Sequence, residues 1–135
     1  MSRGADASTP YALADTSVFI GLENGRFDRE RMPTSAFVSV ITMAELRLGV
    51  LTAQSLEDRA KRLATLRLAE SLNPLPIDDS VADAWATMVG RLRQAGRKVP
   101  VNDTWIAATA IAHGIPIATQ DTDYDNLPGV SVIRL

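Results

Sequence analysis

The chain has 135 residues, a length that suits one compact domain with a real core and leaves little room for a second. Hydrophobic residues make up 46% and charged residues 22%, which argues against disorder, and the formal net charge of −2 argues against a general polyanion binder. The absence of cysteine excludes disulfides and thiolate zinc sites, and the single histidine, His113, excludes any mechanism that needs two imidazoles.

No apolar run approaches the roughly 18 residues needed to span a bilayer, and a cytoplasmic location with no membrane contact is expected. The first ten residues, MSRGADASTP, lack the apolar core of a secretory signal and read as a loose leader, with one domain expected over residues 11–135. Residues 11–14, YALA, read as an apolar strand, after which the spacing becomes helical with Val18, Ile20 and Leu22 as the apolar set. Asp15 therefore stands at the carboxyl end of a strand, the edge where ligands collect in open α/β sheets. The competing reading is a plain helix cap, since Asp15, Thr16 and Ser17 are all good N-cap residues.

The polar stretch 23–35 carries Arg26, Arg29 and Arg31 among acids and reads as a charged loop or short helix. A strand follows at 36–40, then a helix at 41–53. Within that helix Glu45 has Ile41, Thr42, Leu48 and Gly49 at helical spacing, so its carboxylate falls on a largely apolar stripe and needs a partner or a function. Arg47, two residues on, does not face it. Residues 55–72 form an amphipathic helix capped by Ser55, with Leu56, Ala60, Leu63 and Leu66 or Arg67 down one side. A third strand is expected at 75–77, interrupted by Pro76 and hence at a sheet edge.

Asp78, Asp79 and Ser80 offer caps for a helix over 81–96. The segment that ends it carries Arg91, Arg93, Arg97 and Lys98 with no acid between them. Such charges suit a helix carboxyl end and equally suit a phosphate backbone. Pro100 introduces a helix over 101–114 with Asn102 as N-cap, and Asp103 shares a buried stripe with Ile106, Ala107 and Ala110. A strand at 115–119 leads to Asp121, and a last strand is expected at 130–135. Asp121, Asp123 and Asp125 alternate as at the start of an EF-hand loop, but Asn126 and Val132 stand where that loop needs Gly and Glu. The order β-α-β-α-α-β-α-α-β-β implies an α/β fold: a mainly parallel, doubly wound sheet of about five short strands with helices on both faces.

Asp15 and Asp121 would then leave two strand ends, with Glu45 and Asp103 facing inward above them. At a separation of about 6 Å and an effective dielectric near 20, each close pair of carboxylates repels by roughly 3 kcal/mol. Such a cluster must be partly protonated or neutralised, and an all-oxygen donor set points to Mg²⁺ or Mn²⁺. No G-x-x-x-x-G-K-[ST] loop or G-x-G-x-x-G turn supports nucleotide binding. Metal-assisted phosphodiester hydrolysis is the economical reading.

The segments ADTSVFI, MAEL, NDTWIAATAIAHG and IATQDTDYD resemble, in this order and spacing, the PIN-domain nucleases, and most closely the VapC toxins of bacterial toxin–antitoxin pairs. The resemblance covers residues 12–135 and implies a PIN-like three-layer α/β/α sandwich. It implies Asp15, Glu45, Asp103 and Asp121 as metal-binding and catalytic acids, with Asp123 as a further acid and Thr16, Ser17 and Thr119 lining the site. It also implies a Mg²⁺- or Mn²⁺-dependent endoribonuclease acting on structured RNA (transfer or ribosomal), a homodimer, and a VapB-type antitoxin through which alone DNA would be contacted. Arg26, Arg91, Arg93, Arg97 and Lys98 are then the candidate RNA contacts. Two alternatives are a Mg²⁺-binding receiver-like signalling domain and a PIN fold retained as an inactive binding module.

Overall fold

The structure, a computed structural model, describes residues 11–135, so the expected leader lies outside the described residues. Five strands form one sheet: β1 (Tyr11–Ala14), β2 (Ser35–Ser39), β3 (Asn73–Leu75), β4 (Ile117–Thr119) and β5 (Val132–Arg134). Their spatial order is β3-β2-β1-β4-β5 and every pairing is parallel. A receiver-type fold places its third strand, not its fourth, beside the first in the order 2-1-3-4-5, so this topology removes the receiver alternative.

The five helices are α1 (Thr16–Glu23), α2 (Val40–Leu51), α3 (Leu56–Ser71), α4 (Asp79–Gln94) and α5 (Val101–His113). Side chains alternate across the sheet, as the pleat demands. Leu13 and Ile117 point into one cluster with Met88, Leu92, Ile106 and Ala110, beneath α4 and α5. Ala14 and Val38 point into the other, with Val18, Phe19, Met43, Leu46 and Leu66, beneath α1, α2 and α3. Helices thus cover both faces, as expected from the alternation of elements.

Some elements depart from their expected positions. β3 begins at Asn73 and ends before Pro76 instead of running over 75–77. It pairs only with β2, so it is the edge strand expected, and Pro74 can sit inside it because a missing N–H costs nothing on the unpaired side. The buried stripe of α3 is Thr65, Leu66 and Ala69, while Leu56 and Leu63 lie exposed. Two polar anchors set that rotation: Thr65 Oγ1 donates to Glu23 Oε1 at 2.8 Å, and Arg62 Nη1 donates to the Gly49 carbonyl at 2.7 Å. In α1 the buried residues are Val18, Phe19 and Gly21, with Ile20 and Leu22 only partly covered. The 3₁₀ turn Arg29–Arg31 matches the charged short helix expected there, and Gly114 ends α5 with φ +66°, the left-handed cap that glycine adopts without strain.

A candidate metal centre at the carboxyl edge of the sheet

The chain turns to opposite sides of β1: β2 and β3 lie on one side, β4 and β5 on the other. The crevice of an open α/β sheet forms at such a reversal, beyond the carboxyl ends of the two central strands. Here those ends are Ala14 and Thr119; Ala14 pairs directly with Ala118, and the Asp15 N–H donates to the Ala118 carbonyl at 3.1 Å. The register therefore puts Asp15 beside Thr119. Asp15 is only 3% exposed, and both its oxygens are held: Ser17 Oγ donates to Oδ1 at 2.7 Å and Thr119 Oγ1 to Oδ2 at 2.9 Å. Although Asp15 occupies the N-cap position of α1, its side chain makes no cap bond. Burial raises its carboxyl above the ordinary value, the two hydroxyls oppose that, and the charge of Asp121 adds to it.

The loop after β4 is built onto the same hydroxyls. The Gln120 N–H donates to Ser17 Oγ at 2.9 Å, and the Asp121 N–H to Thr119 Oγ1 at 2.8 Å. The Asp123 N–H donates to Asp121 Oδ1 at 3.0 Å, so the loop turns on its own acid. Arg134 of β5 clamps its far side through the Asp121 carbonyl and the Asp125 carboxylate. Asp125 is thereby committed to an ion pair, whereas Asp121 and Asp123 reach Asp103. Each of these three residues offers a carboxylate oxygen, and the three atoms lie within 4.8 Å of one another.

Asp103 sits in the first turn of α5, half-buried above Ile106, Ala107 and Ala110, the stripe its spacing indicated. Desolvation, a hydrogen bond with Asp123 and the charges of Asp123 and Asp121 together raise its pKa from 3.8 to about 7, against a lowering bond from Tyr124. Tyr124 is fully buried, and its hydroxyl donates to Asp103 Oδ1 at 3.2 Å. Burial, then the charges of Asp15 and Asp103, push that phenol upward, so at neutral pH it is a fixed donor.

Glu45 approaches from α2. Its helical neighbour Leu48 is 60% exposed, so the carboxylate does not lie on an apolar stripe. Its surroundings are polar: Thr16 Oγ1 donates to Oε1, Asn102 Nδ2 donates to Oε2 at 3.1 Å, and Thr16 also meets Thr42 at 3.0 Å. Asn102 is therefore not the N-cap of α5, a position taken by Pro100; it ties the turn carrying Asp103 to Glu45.

The tight trio is Asp103, Asp121 and Asp123, flanked by Asp15 through Thr119 and by Glu45 through Asn102. Asp123 joins that trio although the motif resemblance gives it only an auxiliary part. Among the other candidates, Arg93, Arg97 and Lys98 line one cavity beside α5, whereas Arg91 lines a different one with Asp83 and Ile111. Arg26 lies exposed at the end of α1. Of the four cations at the end of α4, three therefore share one cavity and Arg91 lines another.

A family model for the PIN domain matches residues 12–130. The chain belongs to the PIN-domain family. Within it, the chain is 56% identical over 125 residues to Ribonuclease VapC4 of Mycobacterium tuberculosis, covering 92% of this chain and 96% of that one. Ribonuclease VapC5 of the same organism is 43% identical over 131 residues, covering 96% and 97%. The crystal structure of VapBC-5 from M. tuberculosis, a member of the VapBC toxin–antitoxin family, superposes with a TM-score of 0.84 at 41% identity, covering 94% of this chain and all of that one. These likenesses place the PIN domain described here with the VapC toxins.

In this PIN domain two site residues are missed by sequence reasoning alone, Asn102 and Tyr124. Asn102 carries a strong local signal for a cap, which hides its tertiary contact. Tyr124 is the one aromatic residue in the polar run TQDTDYDN, and an aromatic in such a loop is the signal that it is buried.

Proposed function

We propose that this PIN domain is the toxin component of a type II toxin–antitoxin pair. It is a Mg²⁺- or Mn²⁺-dependent endoribonuclease that hydrolyses phosphodiester bonds in structured transfer or ribosomal RNA. The observation that carries the reading is the approach of Asp103, Asp121 and Asp123 to within 4.8 Å at the sheet's reversal point, with the Asp103 pKa raised to about 7. Carboxylates crowded in this way repel, and the donor set, all oxygen and free of sulfur and imidazole, fits a hard divalent cation. Asp15, Glu45, Asp103 and Asp121 would hold it, with Asp123 beside them, and when bound it supplies neutralisation of the acids and of the charge that builds on a phosphate under attack by water.

The remaining work falls to the chain itself. Ser17 and Thr119 fix both oxygens of Asp15, Thr16 and Asn102 fix both oxygens of Glu45, and Tyr124 fixes Asp103. The acids are thus aimed before substrate arrives, which lowers the reorganisation the reaction would otherwise require. The likeness to Ribonuclease VapC4, Ribonuclease VapC5 and the VapBC-5 toxin–antitoxin structure supports this reading and supports a VapB-type antitoxin as partner. A homodimer working in the cytoplasm, with DNA contacted only through the antitoxin, completes the proposal; no helix among the described residues is long and apolar enough to cross a membrane.

The test is cleavage of total cellular RNA by purified protein with Mg²⁺ or Mn²⁺, beside an EDTA control and the Asp15→Asn variant. Discrete fragments that require both metal and Asp15 are expected. Cleavage that persists in EDTA, or none by folded protein loaded with metal, would overturn the reading.

A further inference from the structure

A cavity of about 460 Å³ opens between α4, the segment 95–100 and the first turn of α5. Trp85, Val89 and Val99 form its apolar wall, Thr104 closes it against α5, and Arg93 and Lys98 stand on its rim. Trp85 is held from two sides. One face stacks on Trp105, with ring centroids 4.5 Å apart and planes within 7°, and its Nε1 donates to Thr104 Oγ1 at 2.9 Å. Both indoles are only partly buried, so the pair is a rigid aromatic platform at the surface and not a core contact.

The platform and the acids are held by the same turn of α5. Successive residues of a helix point about 100° apart, and the first turn of α5 uses that spread: Asn102 reaches Glu45, Asp103 meets Asp121 and Asp123, and Thr104 meets Trp85. Arg97 lines the same cavity and donates to the Asn126 carbonyl at 2.6 Å, tying the cavity's edge to the loop that carries Asp121. Among the described residues, Arg93 and Lys98 form no salt bridge. A site made of carboxylates repels a polyanion, so attraction must come from positive surface next to it, and this rim is positive surface adjoining the same helical turn.

We propose that this cavity is a subsite for one unpaired nucleoside of the RNA substrate, its base stacked along Trp85 and its phosphate against Arg93 and Lys98. The proposal rests on the ribonuclease reading and narrows it: the bond cleaved lies next to an unstacked nucleotide, in a loop, bulge or end, and not inside a continuous duplex. Every base has a π face, so the subsite selects for an accessible base more than for its identity.

The chain's two tryptophans are both in this stack, so intrinsic fluorescence reports on it alone. Full-length protein in EDTA at low salt is titrated with oligoadenylate of four nucleotides and with an abasic ribose-phosphate oligomer of equal length. Saturable quenching by oligoadenylate is expected, with affinity about tenfold above that of the abasic oligomer, in the range typical of one aromatic stack. With Mn²⁺ present, Trp85→Leu should raise KM for RNA about tenfold with kcat changed less than twofold, and Trp85→Phe, which keeps a stacking face, should recover most of the loss. Equal binding of the two oligomers, or an unchanged KM in Trp85→Leu and Trp85→Phe alike, would overturn the proposal. A change from dimer to monomer in Trp85→Leu would assign the groove to a second copy of this chain and overturn it as well. If the wild type cleaves no RNA in the same preparation, the ribonuclease reading falls, and the quenching comparison still decides whether the subsite exists.

Discussion

Replacing Asp103 by Asn should make the metal-free protein more stable. Each pair of the carboxylate trio lies within 4.8 Å, which at an effective dielectric of ~20 corresponds to about 3.5 kcal/mol of repulsion per ionised pair. Asp103 is half-buried and Asp123 exposed, so solvent screening reduces the net relief to about 1–2 kcal/mol, or about 3–7 °C in Tm for a domain of this length. The substitution keeps an oxygen to accept from Tyr124, so packing does not change. The pH dependence has a definite sign. The Asp103 pKa is raised from 3.8 to about 7, so across that window the native state holds a proton that the unfolded chain has released, and wild-type stability falls as pH rises through it. Asn has no proton to lose, so the advantage of the variant should be full at pH 8, smaller at pH 5, and lost only as pH falls below 3.8, the ordinary value of the unfolded chain. Thermal unfolding in EDTA at the two pH values, repeated with Mn²⁺, is the assay; with metal the wild type should gain stability and the variant much less. A lower Tm for Asp103→Asn in EDTA at pH 8, or the same gap at pH 5 and pH 8, would refute the argument from crowded charge.

Tyr124→Phe keeps the buried ring and deletes only the donor to Asp103 Oδ1; it should lower stability by about 1 kcal/mol and weaken Mn²⁺ binding by roughly tenfold, measured by calorimetric titration. Asn102→Ala, at an exposed position, should leave Tm within about 2 °C while lowering RNA cleavage by roughly tenfold through a loosened Glu45; full activity would show that Glu45 needs no anchor on α5. Gly21→Ala should destabilise by about 1–3 kcal/mol in denaturant titration, because a Cβ there would stand 2.8 Å from Phe27 Cε1 and 2.5 Å from Gln120 Oε1. The Gln120 side chain can swing away, but the buried Phe27 ring cannot move without opening the cluster around it.

What was legible in the sequence was whatever a local period could reveal. The switch from strand to helix at Asp15 and the buried stripe below Asp103 are short-range patterns, and both stand in the structure. The pairing of Ala14 with Ala118, which brings Asp15 to Thr119, joins residues about a hundred positions apart, and nothing local records it. The same limit explains Asn102, whose contact lies 57 residues away, and α3, whose rotation answers to Glu23 and Gly49 on other helices. At Glu45 the apolar stripe suggested by the spacing is broken by an exposed Leu48, and the carboxylate is held by Thr16 and Asn102, contacts that no local period records. Loop geometry was the least accessible, since Asp123 and Asp125 stand two apart in one run and go to opposite uses, one facing Asp103 and the other Arg134.

The two borders of the sheet limit how copies of this chain can meet. β3 carries Pro74 on a strand of three residues, and β5 is also three residues long, with Arg134 at its end drawn back onto the 121–125 loop. A strand this short, broken by an imino acid or capped by a charge, gives an incoming backbone almost no unpaired groups to bond. Two copies therefore have little to gain from joining their sheets edge to edge into one continuous ladder. Pairing through side chains of the described residues would leave the ladder within each sheet untouched, and so could be weakened one residue at a time without unravelling the strands that lead to Asp15 and Asp121.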